Sequence, residues 1–248
     1  MSIEQSMYDI LVRISDTDAP LIFKGALITK LILMENDFTE LDRATKDIDA
    51  NWIGSPPTLE ELVEIIKISI GDLNEKYNVT GGRESSERKT AGINFSNQAG
   101  DRLFTMDINM WAAGSESREY YWGEGIIRGV IVDEILADKI SVLSSTKIFR
   151  RAKDLVDVYA FSKCVNIDRH RILTLIEQKG NTLEDFDAFV NRKNDLEHAY
   201  NKLHGVENKP EFTEVYENLN LFLKPFINKC SDSLRWDSRK WVADTNHH

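Results

Sequence analysis

Several things that mark whole classes of protein are scarce in this chain of 248 residues. It has two cysteines, Cys164 and Cys230, with no C-x-x-C. That excludes a disulfide framework and a cysteine-based structural zinc site, and a reducing compartment is the simplest setting. No uninterrupted apolar run approaches the roughly 18 residues that span a bilayer, so no membrane helix is expected. The opening stretch MSIEQSMYDI is amphipathic and carries acids, unlike a secretory signal, and a cytoplasmic protein is the expectation. Histidine is limited to five scattered residues, of which His247 and His248 read as part of a tail rather than as ligands. Positive charge is also short: 31 Lys and Arg face 41 Asp and Glu, a net charge of −10. Such a balance disfavours a protein that coats nucleic acid by bulk electrostatics. It leaves room for a local basic patch, and KIFRRAK, residues 147–153, is the densest positive cluster.

What is present describes a globular chain. Hydrophobic residues make up 42% and charged residues 29%, enough apolar surface for a real core in one large domain or two small ones. Ile3, Met7, Ile10, Leu11 and Ile14 recur at helical spacing behind Ser2 as an N-cap. Pro20 then breaks the chain before the short apolar strand LIF, residues 21–23, which Lys24-Gly25-Ala26 follows at once. From Ala26 to about Met34 the pattern is helical again, so strand, glycine turn and helix succeed each other without a linker. The N-terminus of such a helix points unpaired N–H groups past the end of the strand. Residues 56–73 form the clearest helix, with a Thr58–Glu61 capping box behind two prolines. Strand-like pieces follow in KYNVTGG, KTAGINF and DRLFTMDINMW; beyond them the chain reads as helical almost to its end, with a composition shift near residue 130.

RATKDIDANW, residues 43–52, raises the chemical question. Asp47 and Asp49 project from the same face of an extended strand because side chains alternate with period two. Like charges this close repel, and a divalent cation is the usual reason to keep them; an edge strand with a solvated acidic face is the plain alternative. Asp16–Asp18 and Asp185–Asp187 repeat the D-x-D pattern elsewhere, so the motif is not specific alone. Only Asp47 and Asp49 lie on a strand that follows a phosphate-ready turn. Asp107 falls on one face of a later strand, where it is either a third carboxylate or a solvated residue. Tyr120, Tyr121 and Trp122 are expected in the core, with base stacking as the alternative.

The order strand, glycine turn, helix, D-x-D strand, later acidic strand resembles the nucleotidyltransferase (DNA polymerase β-like) fold. More narrowly, FKGALITKLIL (23–33), RATKDID (43–49) and EILADKISVLSSTKIFRRAKDLVDVYAF (134–161) resemble the AbiEii/AbiGii toxin family of nucleotidyltransferases. That resemblance implies an α+β fold: a mixed sheet with flanking helices over residues 1–130, then a helical C-terminal domain over 131–248. It implies a Mg²⁺-dependent transfer of a nucleoside monophosphate from an NTP to a hydroxyl, with two ions held by Asp47, Asp49 and Asp107. Gly25 corresponds to the phosphate turn, and Lys139 and Asp154 to later active-site positions. Lys24, Gly25, Ala26, Arg43 and Lys139 are the nucleotide-binding candidates. Lys24 either binds phosphate or caps the strand end, and Arg43 either pairs with Asp47 or Asp49 or holds its loop. Without the resemblance, Lys139 reads as an exposed helix lysine, and Asp154 and Asp157 as a salt-bridge face for Arg150 and Arg151. The implied acceptor is RNA, such as a tRNA end, and the implied role a toxin held by an antitoxin. Ala26 departs from the family's second glycine. It favours an alternative reading, a catalytically weak nucleotide-binding module acting through protein contacts. A small-molecule nucleotidyltransferase shares the same core.

Overall fold

The computed structural model describes residues 2–85, 89–112, 114–230 and 232–243; His247 and His248 lie outside the described residues. The chain runs α1 (Ile3–Ser15), β1 (Leu21–Lys24), α2 (Gly25–Glu35), β2 (Asp42–Arg43), β3 (Asp47–Trp52), α3 (Leu59–Ile70), β4 (Asn78–Ser85), β5 (Thr90–Ser96) and β6 (Arg102–Asn109). It continues through β7 (Ser117–Trp122), β8 (Gly125–Val130), α4 (Val132–Leu143), α5 (Lys153–Cys164), β9 (Ile167–Asp168) and α6 (Arg169–Gln178). Last come α7 (Asp187–Asn191), α8 (Lys193–Asn201), β10 (Val206–Glu207), α9 (Phe212–Ile227), β11 (Leu234–Trp236) and β12 (Trp241–Ala243). Two compact units result, Met1–Leu31 with Thr45–Ile131, and Ile32–Ala44 with Val132–His248.

The first unit is built on a seven-stranded mixed sheet in the order β4-β5-β6-β3-β1-β8-β7. β3 runs parallel to β6 and antiparallel to β1, which in turn runs parallel to β8. Alternation decides what each face carries. Ile48 and Ala50 of β3, Phe104, Met106 and Ile108 of β6, and Ile93 and Phe95 of β5 are buried. Asp47, Asp49, Thr105 and Asp107 occupy the intervening positions and so share the other face. Phe95 stacks on Phe104 at 4.8 Å, and Tyr77 meets both edge-on. The expected caps are present: Ser2 accepts from the Gln5 N–H, and Thr58 and Glu61 close a reciprocal capping box on α3.

Two strands appear where helix was expected. SREYYW and GIIRGV pair as the β7–β8 hairpin across Gly123 and Glu124, with Gly123 at φ 59°. Most of β7 is exposed, so it shows no clean apolar alternation for a periodicity reading to find. Tyr120 is fully buried and donates its hydroxyl to the Val130 carbonyl at 2.6 Å, and Trp122 stacks on Tyr8 at 3.9 Å. Tyr121, expected in the core, is instead 68% exposed.

The second unit is mainly helical, with two small sheets added, β10-β2 and β12-β11-β9. An aromatic cluster anchors its C-terminal end. Phe222 packs edge-on against Trp236 at 5.2 Å and stacks on Trp241 at 5.5 Å. Both indole N–H groups are satisfied, by the Ser162 and Phe222 carbonyls at 2.7 and 2.8 Å. Asp185 and Asp187 lie at the entry of the short α7 rather than within a longer helix. No helix among the described residues is long and apolar enough to cross a membrane.

The core of the first unit carries a direct test. Phe95→Ala removes a fully buried ring from the Tyr77–Phe104 cluster. It should cost about 3–5 kcal/mol in urea unfolding. Leu221→Ala, on a side chain 60% exposed, should stay within about 0.5 kcal/mol of wild type.

Candidate active site

β1 ends at Lys24 and α2 begins at Gly25, which has φ +72°. A Cβ at this position would lie 2.0 Å from the Asp49 carboxylate oxygen Oδ2 and 2.9 Å from the Asp49 Cβ. Glycine is therefore required twice, for the left-handed backbone and for the approach of the Asp49 side chain. The first turn of α2 holds no acid, whereas α1, α3 and α4 each begin with at least one. The partial positive charge of that helix end is thus not spent on a side chain of its own first turn. Ala26 sits half-buried in this turn, and Lys24 lies opposite Asp49 in the β1–β3 register.

The parallel β3–β6 register sets Asp49 beside Asp107 and Asp47 beside Thr105. All four side chains leave the same face, which gathers Gly25, Asp47, Asp49 and Asp107 from three elements, α2, β3 and β6. Thr105, not anticipated from the sequence, donates its hydroxyl to Asp47 Oδ1 at 2.8 Å. Its signal was available: it stands two residues before Asp107 on the same strand. Partial burial and the neighbouring Asp47 charge push the Asp107 carboxyl above the usual range.

A hard divalent cation suits this donor set. The donors are carboxylate and hydroxyl oxygens only. Among the described residues no three His, Cys, Asp or Glu side chains gather tightly enough to hold a metal unaided. Mg²⁺ does not demand that, because it takes one or two carboxylates and fills its shell with water and substrate phosphate.

Lys139, Asp154 and Arg43 lie in the second unit, where they form a buried network with Asp157. Lys139 is 5% exposed, not the exposed cation expected on α4, and its ammonium donates to Asp154 Oδ1 at 2.9 Å and Asp157 Oδ2 at 2.6 Å. Arg43 was expected to pair with Asp47 or Asp49 or to hold its loop. Its guanidinium instead grips Asp157 with two hydrogen bonds of 3.1 and 3.2 Å. Its backbone is fixed by the β2–β10 pairing opposite Val206. Arg151 Nε approaches Asp154 Oδ2 at 2.7 Å, as the salt-bridge reading anticipated, and Arg151 Nη2 donates to Asp154 Oδ1 at 3.3 Å. Burial raises the Asp154 pKa, but Lys139 and then Arg151 outweigh it and hold the carboxyl below its ordinary value. For Lys139 burial pulls the pKa down, and Asp157 and Asp154 overcome it, leaving the ammonium above its ordinary value.

Two outcomes follow. Gly25→Ala should cost at least about 1–2 kcal/mol from the left-handed backbone alone and displace the Asp49 carboxylate, lowering the melting temperature. Lys139→Met should cost about 3–5 kcal/mol at neutral pH, since it leaves two buried carboxylates short of their shared cation. The lowered Asp154 contributes stability present above the ordinary aspartate pKa and lost as pH falls through its folded value. The raised Lys139 contributes stability present below the ordinary lysine pKa and lost as pH climbs through its folded value. Urea unfolding from neutral to acid pH should therefore show the Lys139→Met penalty shrinking as Asp154 protonates.

Comparison with known proteins agrees with this architecture. A crystal structure of a candidate nucleotidyltransferase from Helicobacter pylori superposes with TM-score 0.57 at 15% identity, covering 92% of this chain and 94% of that one. JHP933, also from Helicobacter pylori, gives TM-score 0.57 at 14% identity, covering 91% and 90%. MenT4, a nucleotidyltransferase toxin from Mycobacterium tuberculosis, gives 0.45 at 16% identity over 77% of this chain and 66% of that one. No curated protein sequence matches the chain. At these identities the first two likenesses establish the fold. The family itself comes from the sequence, which matches the description "Nucleotidyl transferase AbiEii toxin, Type IV TA system" over residues 9–226. With most of its length inside that match, the chain belongs to the AbiEii nucleotidyltransferase toxins of type IV toxin–antitoxin systems.

Proposed function

We propose that this nucleotidyltransferase moves a nucleoside monophosphate from an NTP to a hydroxyl of an RNA acceptor such as a tRNA end. Growth arrest would be its output, relieved by the antitoxin of the same system. The reading rests on one observation: the Asp49 carboxylate packed against the Gly25 turn, with Asp107 beside it in register.

In the reaction the acceptor oxygen bonds to the α-phosphorus, the bond from that phosphorus to the bridging oxygen breaks, and pyrophosphate leaves. The N–H groups opening α2, without a first-turn acid beside them, seat the β- and γ-phosphates. Gly25 lets the backbone come within reach of those oxygens, and Lys24 adds charge at the strand end. Asp107, beside Asp49 in the β3–β6 register, helps activate the acceptor hydroxyl and takes up its proton. Thr105 holds the Asp47 carboxylate through its hydroxyl. Asp47, Asp49 and Asp107 are the residues to hold Mg²⁺, two ions in the family's manner, which when bound offsets charge on the phosphoryl oxygens. Lys139 and Arg43 stay as nucleotide-binding candidates and Asp154 as the later active-site position; in this structure Lys139 pairs with Asp154 and Asp157, and Arg43 with Asp157.

Incubating the protein with each labelled NTP, Mg²⁺ and total RNA tests the reading. Label should enter RNA, and Asp49→Asn should lower transfer by more than about 100-fold without loss of the fold. A saturating nucleotide with Mg²⁺ should also raise the melting temperature, since a ligand at 100 times its Kd adds about 2.7 kcal/mol. A thermal shift without transfer would favour the nucleotide-binding module suggested by Ala26. Label found on small molecules would favour the small-molecule enzyme. No shift with any NTP would defeat the nucleotide reading altogether.

A further inference from the structure

A pocket of about 520 Å³ opens in the second unit between the 149–152 segment and α8. That volume falls within the roughly 300–1,000 Å³ of small-ligand sites. Its floor is apolar: Ala152 is buried, and Phe149, Ala199 and Leu203 are half-buried. Its rim carries the exposed cations Arg150, Arg192 and Lys202, with His198 beside them and Asp195 as the one acid. Three permanent positive charges against one negative charge make this rim cationic in a chain whose net charge is −10.

The rim is also partly organised. The Arg192 guanidinium lies 4.3 Å from the centre of the Phe149 ring, and both its Nε and Nη2 donate to Asp195 Oδ2, at 2.9 and 2.7 Å. Two neighbours therefore fix a planar cation at the lip of an apolar hollow. Among the described residues Arg150 and Lys202 make no ion pair with an acid, so their charge is available to an incoming anion.

We infer that this pocket seats a nucleotide of the single-stranded RNA acceptor. A base would lie against the Phe149–Ala199–Leu203 floor and the Arg192 plane, with its flanking phosphates on Arg150 and Lys202. An apolar platform beside a row of cations is the combination that single-stranded nucleic acid requires, because every base has a stacking face and every linkage a charge. An acidic peptide would satisfy the cations but would leave the floor and the planar guanidinium without a matching flat group. The inference rests on the RNA-acceptor reading, and it places acceptor recognition on residues that take no part in nucleotide chemistry.

The test measures fluorescence anisotropy of a labelled ten-nucleotide single-stranded RNA of mixed sequence with the full chain. The double variant Arg150→Glu/Lys202→Glu should weaken binding by about tenfold or more, and the slope of log affinity against log salt should fall by about 1.4 for two lost phosphate contacts. Lys224→Glu, an equal change of one exposed charge on α9 outside the pocket, should leave affinity within about twofold. Ala199→Phe fills the hollow without altering charge, and it should also weaken RNA binding. Melting temperature and the NTP-induced shift are read on every variant, so a failed fold is recognised and a failure of the nucleotide reading is seen separately. Asp49→Asn should abolish transfer and keep RNA affinity. RNA binding that survives both pocket variants would overturn the proposal. So would an acidic peptide that binds wild type and is lost in the pocket variants while RNA is unaffected.

Discussion

One close approach organises the first unit: the Asp49 side chain lies where a Cβ on residue 25 would have to be. Everything around it is arranged to permit that contact. β1 runs antiparallel to β3 with Lys24 opposite Asp49, so the chain must turn into α2 at the very residue that faces the carboxylate. Only a residue without a side chain, in a left-handed conformation, can make the turn there. The second constraint is parity. Because β6 is parallel to β3 with Asp107 beside Asp49, a slip of one residue would send Asp107 to the buried face and Met106 or Ile108 outward. The buried alternation of Ile48, Ala50, Phe104, Met106 and Ile108 therefore protects the arrangement of the carboxylates on the opposite face.

The two groups of acids in this chain are handled in opposite ways. Asp154 and Asp157 are buried and answered by Lys139, Arg43 and Arg151, more cations than acids, at hydrogen-bonding distances. Such a cluster holds helices in one geometry and is costly to break. Asp107 is different. Its carboxyl is pushed toward the protonated form, first by partial burial and then by the Asp47 charge.

Much of the first unit was readable because its signals are local. The Ser2 and Thr58 caps, the Pro20 break, the Lys24-Gly25 turn and the period-two alternation of β3 and β6 each depend on a few adjacent residues. The approach of Gly25 to Asp49 could be anticipated only as an order of elements, since it depends on pairing between strands distant in sequence. β7, β11 and β12 were missed because they are short or mostly exposed, so apolar periodicity gave them no mark. Lys139 illustrates the other limit. A lysine on a helix reads as solvated by default, and its burial follows from Asp154 and Asp157 on α5 facing it, which spacing along α4 does not encode.

The net charge of −10 describes the whole molecule and not its parts. At physiological ionic strength fields from exposed charges decay over about 8 Å, so a ligand at a pocket responds to the few side chains within that range. Within the second unit, KIFRRAK supplies Arg150 and the two caps of α8 supply Arg192 and Lys202, more than 40 positions later in the chain. KIFRRAK stands out along the chain as the densest positive cluster, whereas the cations around α8 are interspersed with acids and do not. Folding is what concentrates them on one rim and places Phe149, Ala199 and Leu203 beneath. An acidic protein can therefore hold a cationic, partly apolar pocket without becoming a general binder of nucleic acid. The long-range attraction that would draw it to any polyanion is absent, while the short-range contacts that select a flat, charged ligand are retained.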